Sequence, residues 1–185
     1  MANNYDELPR VDFGVDMGNF EQAKAAAQAL EEAGMPGAIA EFEREYQRAL
    51  VGSKAFIRKA AADEIKKAAE KERQQVGHSK SGYDPTGTLE GSITAQFSKN
   101  NLKASVVPLA TTADAEKNRQ RIKQGKKIRN VHKPKKKDSD VHYYGADVEF
   151  GYGNNPKEPF MQPSGEEMIR ELDGRFEKLM RDAIR

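Results

Sequence analysis

The chain has 185 residues, of which 37% are hydrophobic and 32% charged, and its formal net charge is +2. This length suits one domain (1–185) with an N-terminal arm (1–10), although the apolar content lies below the roughly 45–50% usual for globular domains. The absence of cysteine excludes disulfides and thiolate metal sites. The sequence also shows no signal peptide and no run near the roughly 18 apolar residues of a membrane span.

The first half of the chain predicts one strand and two helices. Hydrophobic residues alternate with polar or small ones from Val11 to Met17, which is typical of a half-buried strand. Asn19 is a suitable N-cap for a helix to about Ala33. Apolar residues three or four apart then predict one long helix from Pro36 to about Gln75.

The second half predicts three strands and a final helix. The segments Leu89–Phe97 and Leu102–Leu109 read as a hairpin, and Val141–Phe150 reads as a further strand. Ser164 and Glu167 match a capping box before an amphipathic helix that runs to the end of the chain. The prediction is an α+β fold, a small mainly antiparallel sheet with the long helix and the C-terminal helix packed on it, in the order β-α-α-β-β-(basic loop)-β-α.

A run of eleven basic residues without any acid lies between the second and third of these predicted strand regions. Its members are Lys117, Arg119, Arg121, Lys123, Lys126, Lys127, Arg129, Lys133, Lys135, Lys136 and Lys137. Taking these eleven charges from the net +2 leaves −9 for the rest of the chain. The run predicts either a flexible solvated loop over 113–140 or contact with an anionic partner, which is DNA phosphate or an acidic protein patch. Because no aromatic residue lies between Ala110 and Val141, any nucleic-acid contact is expected to be nonspecific.

No local pattern of an enzyme is present, and we predict no catalytic, cofactor or metal residues. His78, His132 and His142 lack metal-ligand spacing, and no G-x-S-x-G or phosphate-binding glycine loop occurs.

Three short segments carry a family resemblance. Residues 86–93 (TGTLEGSI) resemble T-G-x-L-x-x-S-I, residues 143–151 (YYGADVEFG) resemble Y-x-x-x-V-E-F-G, and residues 157–163 (KEPFMQP) resemble P-F-M-x-P-A. In this order, these patterns resemble the small tail-component or tail-completion proteins of tailed phages. The motif residues taken as fold or interface anchors are Gly87, Leu89, Ser92, Ile93, Tyr144, Glu149, Phe150, Gly151, Pro159, Phe160 and Pro163. We expect Leu89 and Ile93 to point inward, Phe150 to anchor the end of its strand, and Phe160 to anchor the core or an interface.

The resemblance implies a non-enzymatic virion protein, made in the host cytoplasm, that forms a ring of several copies, often six, at the head–tail junction. Its implied partners are further copies of itself, a neighbouring connector or stopper protein, and a tail terminator or the tail tube. Genomic DNA in the channel is a further implied partner, and a membrane is not. The alternatives are a tail terminator or minor tail protein and, from another class, a nonspecific nucleic-acid-binding module that uses residues 117–137.

Overall fold

The computed structural model describes residues 4–76, 86–129 and 141–183, and it confirms the predicted α+β class. A sheet of three short strands packs against one long helix, with the C-terminal helix beside it. In chain order the elements are β1 (Val11–Gly14), α1 (Phe20–Glu32), α2 (Ala38–Gln75), β2 (Ile93–Phe97), β3 (Lys103–Pro108), α3 (Thr112–Lys123), α4 (Gly145–Phe150) and α5 (Met161–Ala183).

The sheet is antiparallel in the order β1-β3-β2, so that the strand latest in sequence is central. Val11 pairs with Val106, and Ile93 pairs with Pro108. The predicted hairpin between β2 and β3 is confirmed. Its turn contains Asn101 at φ 58°, a left-handed conformation that asparagine tolerates better than most side chains.

The two faces of the sheet are covered differently. One face, which includes Val106, packs on the α2 residues Ile57 and Ala61 and on Phe160 to form the main core. On the other face a smaller cluster joins Leu8, Val107, Leu109 and Tyr143. The N-terminal arm is therefore partly structural, because Asn4 exchanges two hydrogen bonds with the backbone of Tyr143, at 2.8 and 2.9 Å.

The C-terminal helix α5 lies antiparallel along the second half of α2. Phe56 and Phe176 meet with ring centroids 5.4 Å apart. Ion pairs flank this seam, joining Lys67 to Glu171, Lys71 to Glu167 and Asp63 to Arg175. Exposed ion pairs contribute little individually, so apolar packing along the seam supplies most of its stability.

Helix α1 and residues 38–52 of α2 form a helical arm outside this core. Asn19 caps α1 as predicted, accepting from the Gln22 N–H. Phe20 holds the arm together, with its ring centroid 4.5 Å from that of Tyr46 and 5.6 Å from that of Phe42. Within the arm Ala27 is the buried side chain of α1, and residues 38–52 contribute none. The arm thus leaves most of its surface in solvent.

The strand predicted over Val141–Phe150 is wrong, because residues 145–150 form the short helix α4. A single bridge between Thr111 and Tyr143 is the strand-like contact of this region. Periodicity in so short an apolar run does not separate strand from helix. In this helix Glu149 makes tertiary hydrogen bonds to the start of α5, whereas Phe150, predicted to anchor the strand end, is 61% exposed.

The flexible basic loop predicted over 113–140 is wrong for its first third, which forms α3. Thr111 caps this helix, because its hydroxyl oxygen accepts from the Asp114 N–H at 3.1 Å. Gly125 at φ 67° ends it with hydrogen bonds from Gly125 to Ile122 and from Lys126 to Arg121. Thr111 and Gly125 are local signals of a helix, but the high charge of the run favoured the prediction of a solvated loop. Residues 130–140 lie outside the described part of the chain.

The capping box predicted at Ser164 and Glu167 is also wrong, since α5 begins three residues earlier, at Met161. Ser164 lies in the first turn of α5 and is fully buried. A buried carboxylate from α4 caps this helix instead.

Gly165 allows α5 to approach β1 closely. A Cβ atom at this position would lie 2.7 Å from Val11 Cγ2, closer than side chains normally come. We expect Gly165→Ala to reduce the free energy of unfolding by about 1–3 kcal/mol through overpacking. The control is Gly174→Ala in the same helix, where a Cβ meets no atom within 4 Å and should stabilise the helix by up to about 1 kcal/mol. Urea unfolding of both variants tests this, and equal effects would contradict the close packing.

Candidate functional site

Glu149 joins the second and third motif segments into one unit. The side chain projects from α4 and is only 2% exposed. Its Oε2 accepts from the backbone N–H groups of Phe160 and Met161 at 2.8 and 3.0 Å, and its Oε1 accepts from Gln162 at 2.8 Å. One carboxylate therefore satisfies three N–H groups at the N-terminus of α5.

This cap rests on charge complementarity at a site that is buried from water. The first N–H groups of a helix have no partner within the helix, and the N-terminus carries partial positive charge. A buried carboxylate without partners is costly, whereas charge-assisted hydrogen bonds are strong. The carboxylate therefore gives the N–H groups an acceptor, and the N–H groups give the buried carboxylate its hydrogen bonds.

The backbone around α4 is shaped to present Glu149. A Cβ at Gly145 would lie 2.8 Å from Pro108 Cγ, so glycine allows α4 to contact the end of β3. Gly151 turns the chain at φ 81°. The chain then runs back alongside α4, where the backbone N–H of Glu158 donates to the Val148 carbonyl at 2.8 Å.

The first motif segment forms a turn that leads into β2. Gly87 has φ 72°, and Leu89 and Ile93 are buried, as predicted. The backbone N–H of Ser92 donates to the Leu89 carbonyl at 3.0 Å and closes a single 3₁₀ turn before the strand, and the Ser92 hydroxyl donates to the same carbonyl at 2.7 Å. These residues act as fold determinants.

Asn118, which the sequence did not identify, holds the basic segment against this turn. It is buried on α3 and donates to Thr88 Oγ1 and to the Arg129 carbonyl, both at 3.0 Å, while its Oδ1 accepts from the Arg129 N–H at 2.9 Å. The chain after α3 therefore folds back onto the helix. An isolated asparagine among lysines gave no sequence signal for this role.

The structure brings together some members of the basic run and separates others. Lys117, Arg121 and Arg129 line one groove of about 440 Å³ beside α3. Arg119 instead pairs with Glu116 at 3.0 Å. Lys123, Lys126 and Lys127 are exposed around the end of α3, and Lys133, Lys135, Lys136 and Lys137 lie outside the described residues.

The predicted motif anchors fall into three groups. Leu89, Ser92, Ile93, Tyr144, Glu149 and Phe160 are buried, and Phe160 is confirmed as a core residue. Four anchors are partly exposed, with Gly151 and Pro159 at the connection between α4 and α5, Pro163 in the first turn of α5 and Gly87 in the turn before β2. Phe150 faces solvent together with nearby Tyr152.

The described part of the chain contains no group of three potential metal ligands and no helix that is long and apolar enough to cross a membrane. His142 and Asp147 form a pair at 2.7 Å across the start of α4.

Comparison of the chain with protein-family models, with curated proteins and with solved structures found no match.

Two buried glutamates on α2 carry protons at higher pH than usual. Burial raises the pKa of Glu64 to about 7 and, with nearby Glu90, that of Glu72 to about 7. Glu64 Oε1 lies 2.7 Å from Ser164 Oγ, which also donates to the Met161 carbonyl. The Ser164 hydroxyl donates to Glu64, which by itself lowers the pKa of that carboxyl, so burial is the larger of the two effects.

The Glu149 cap is tested by Glu149→Gln, which preserves shape but leaves one accepting oxygen instead of two. We expect the free energy of unfolding to fall by about 1–3 kcal/mol, because buried N–H groups lose their acceptor. Glu166→Gln, an exposed change in the first turns of the same helix, should stay within about 0.5 kcal/mol of the original protein. Thermal unfolding measures both, and a neutral Glu149→Gln would refute the cap.

Stability is expected to fall as the pH rises from about 4.5 to about 7. Glu64 and Glu72 bind protons more tightly in the folded protein than in the unfolded chain, where the pKa is 4.5. Their stabilising contribution is therefore complete below pH 4.5 and is lost as the pH approaches 7, by about 3 kcal/mol for each group.

Urea unfolding across this pH range checks that sign. Glu64→Gln and Glu72→Gln should each flatten the pH dependence, whereas the exposed Glu32→Gln should leave it unchanged. If both buried variants kept the original slope, the raised pKa values would be wrong.

Proposed function

We propose that this protein is a structural subunit of a tailed-phage virion, which assembles as a ring at the head–tail junction and joins or completes the tail. The observation that carries the proposal is the Glu149 cap. The motif segments Y-x-x-x-V-E-F-G and P-F-M-x-P meet where one carboxylate accepts three hydrogen bonds from backbone N–H groups. Their physical interdependence is a reason for the two patterns to occur together, which supports the resemblance that they carry.

The helical arm supports a role in assembly. It exposes Leu30 and Val51, the latter 65% accessible, and the turn between its two helices exposes Met35 at 57%. Large apolar side chains on an element with little buried surface of its own suit burial against a neighbouring copy. Symmetric rings are a common way to satisfy such surfaces, because each copy supplies one half of a repeated interface.

The alternative roles in the virion, a tail terminator or a minor tail protein, are served by the same assembly features. A nucleic-acid-binding module differs in one respect, since it does not require self-association. Oligomeric state therefore separates the structural proposal from its rival of another class.

Native mass spectrometry of the full chain over a concentration series tests the ring. We expect a closed oligomer, six copies being the favoured number, and we expect Leu30→Glu with Val51→Glu to shift it toward monomer by placing charge in the interface. Ile122→Glu, which alters an exposed apolar residue on α3, is the matched control and should leave assembly intact.

Substituting the described cations of the basic run by glutamine should also preserve the ring. Deleting the segment is not an equivalent experiment, because it would remove α3 and the Asn118 contacts. A monomer at every concentration would contradict the ring and favour the nucleic-acid module.

A further inference from the structure

We propose that the groove beside α3 binds the phosphate backbone of duplex nucleic acid through Lys117, Arg121 and Arg129. The inference goes beyond the proposed function, because the groove is complete within one copy of the chain and would bind whether or not a ring forms.

Helix geometry sorts the charges of α3. Lys117 and Arg121 are four residues apart and therefore share one side of the helix. Arg119 and Lys123 form a second pair on roughly the opposite side, because two residues correspond to about 200° of rotation. The run is thus divided, and only the first pair faces the groove.

Arg129 reaches the same groove through the contacts of Asn118. That asparagine makes hydrogen bonds with both the N–H and the carbonyl of Arg129, at 2.9 and 3.0 Å. Arg121 reinforces the fold-back, since its Nε donates to the Lys127 carbonyl at 2.8 Å. The backbone positions of the three cations are therefore fixed by protein contacts, one from a buried side chain.

The groove retains an excess of positive charge. Among the described residues, Lys117, Arg121 and Arg129 form no ion pair, whereas Arg119 is paired with Glu116. The single acid that lines the groove, Asp114, accepts from the Thr111 hydroxyl at 2.6 Å at the start of α3. Gln120 and Gln124 complete the lining with amide groups that can donate to phosphate oxygens.

The lining favours phosphate over an acidic protein as the ligand. Every side chain that lines this groove is polar or charged, whereas protein interfaces usually have an apolar centre. No aromatic residue between Ala110 and Val141 could stack on an unpaired base. Regularly spaced phosphates of a duplex need neither feature, so we expect binding that is independent of base sequence.

The experiment measures binding of a fluorescent DNA duplex to the full chain, by anisotropy, over about 50–200 mM KCl. The test variant combines Lys117→Gln, Arg121→Gln and Arg129→Gln. Its matched control combines Arg119→Gln, Lys123→Gln and Lys127→Gln, which removes the same charge from the same segment but outside the groove. Circular dichroism establishes that both variants fold, and native mass spectrometry records the oligomeric state of each.

We expect the groove variant to lose about tenfold or more in affinity at low salt. The slope of log K against log salt concentration should decrease in magnitude by about 2.7, as expected for three lost phosphate contacts. The control should change this slope by less than about one. Scrambling the duplex sequence should change neither result.

Equal losses in the two variants would overturn the groove, because the run would then act as diffuse charge. Failure of the original protein to bind duplex DNA at about 50 mM KCl would also overturn it. If the groove instead bound a poly-glutamate peptide, with the same dependence on the three cations, its ligand would be an acidic protein and not duplex nucleic acid. Native mass spectrometry tests the proposed ring separately through the oligomeric state, so the two proposals can fail independently.

Discussion

The carboxylate of Glu149 is the constraint on which the second half of this fold depends. It is almost completely buried, and in the described part of the chain its partners are the three N–H groups that open α5. A charge in this position has to keep those partners, so α4, the turn at Gly151 and the start of α5 are fixed together. The position of α5 then follows. Its first turn brings Ser164 to Glu64, and Gly165 lets the helix approach Val11 in the sheet.

A second polar contact organises the charged part of the molecule in a similar way. Asn118 links α3 to the turn at Thr88 and to the returning chain at Arg129, so a segment with very few apolar residues still adopts a defined conformation. Hydrogen bonds of a buried amide replace the hydrophobic contacts that usually dock a helix. This arrangement is well suited to a surface that has to present cations to a ligand, because the same lysines and arginines remain free of the core.

The rest of the chain divides between a core and an arm. Strands β1 to β3, the second half of α2 and the first turns of α5 share one hydrophobic core, whereas α1 and the first half of α2 are held mainly by the rings of Phe20, Phe42 and Tyr46. The low apolar content of the sequence is therefore unevenly distributed. The compact core gathers most of the buried side chains, and the exposed arm carries the surface that the proposed ring would bury.

Features that depend on local chemistry and on long periodic patterns could be predicted from the sequence. These are the α+β class, the long helix α2, the Asn19 cap and the hairpin between β2 and β3, in which each signal lies within a few residues of the structure it specifies. The tertiary structure alone decided the helical state of α4, the start of α5 at Met161, and which cations share a groove. Glu149 acts across eleven to thirteen residues and Asn118 across eleven and thirty. Contacts at these separations leave no periodic trace in the chain, so they could not be inferred before the folded arrangement brought the residues together.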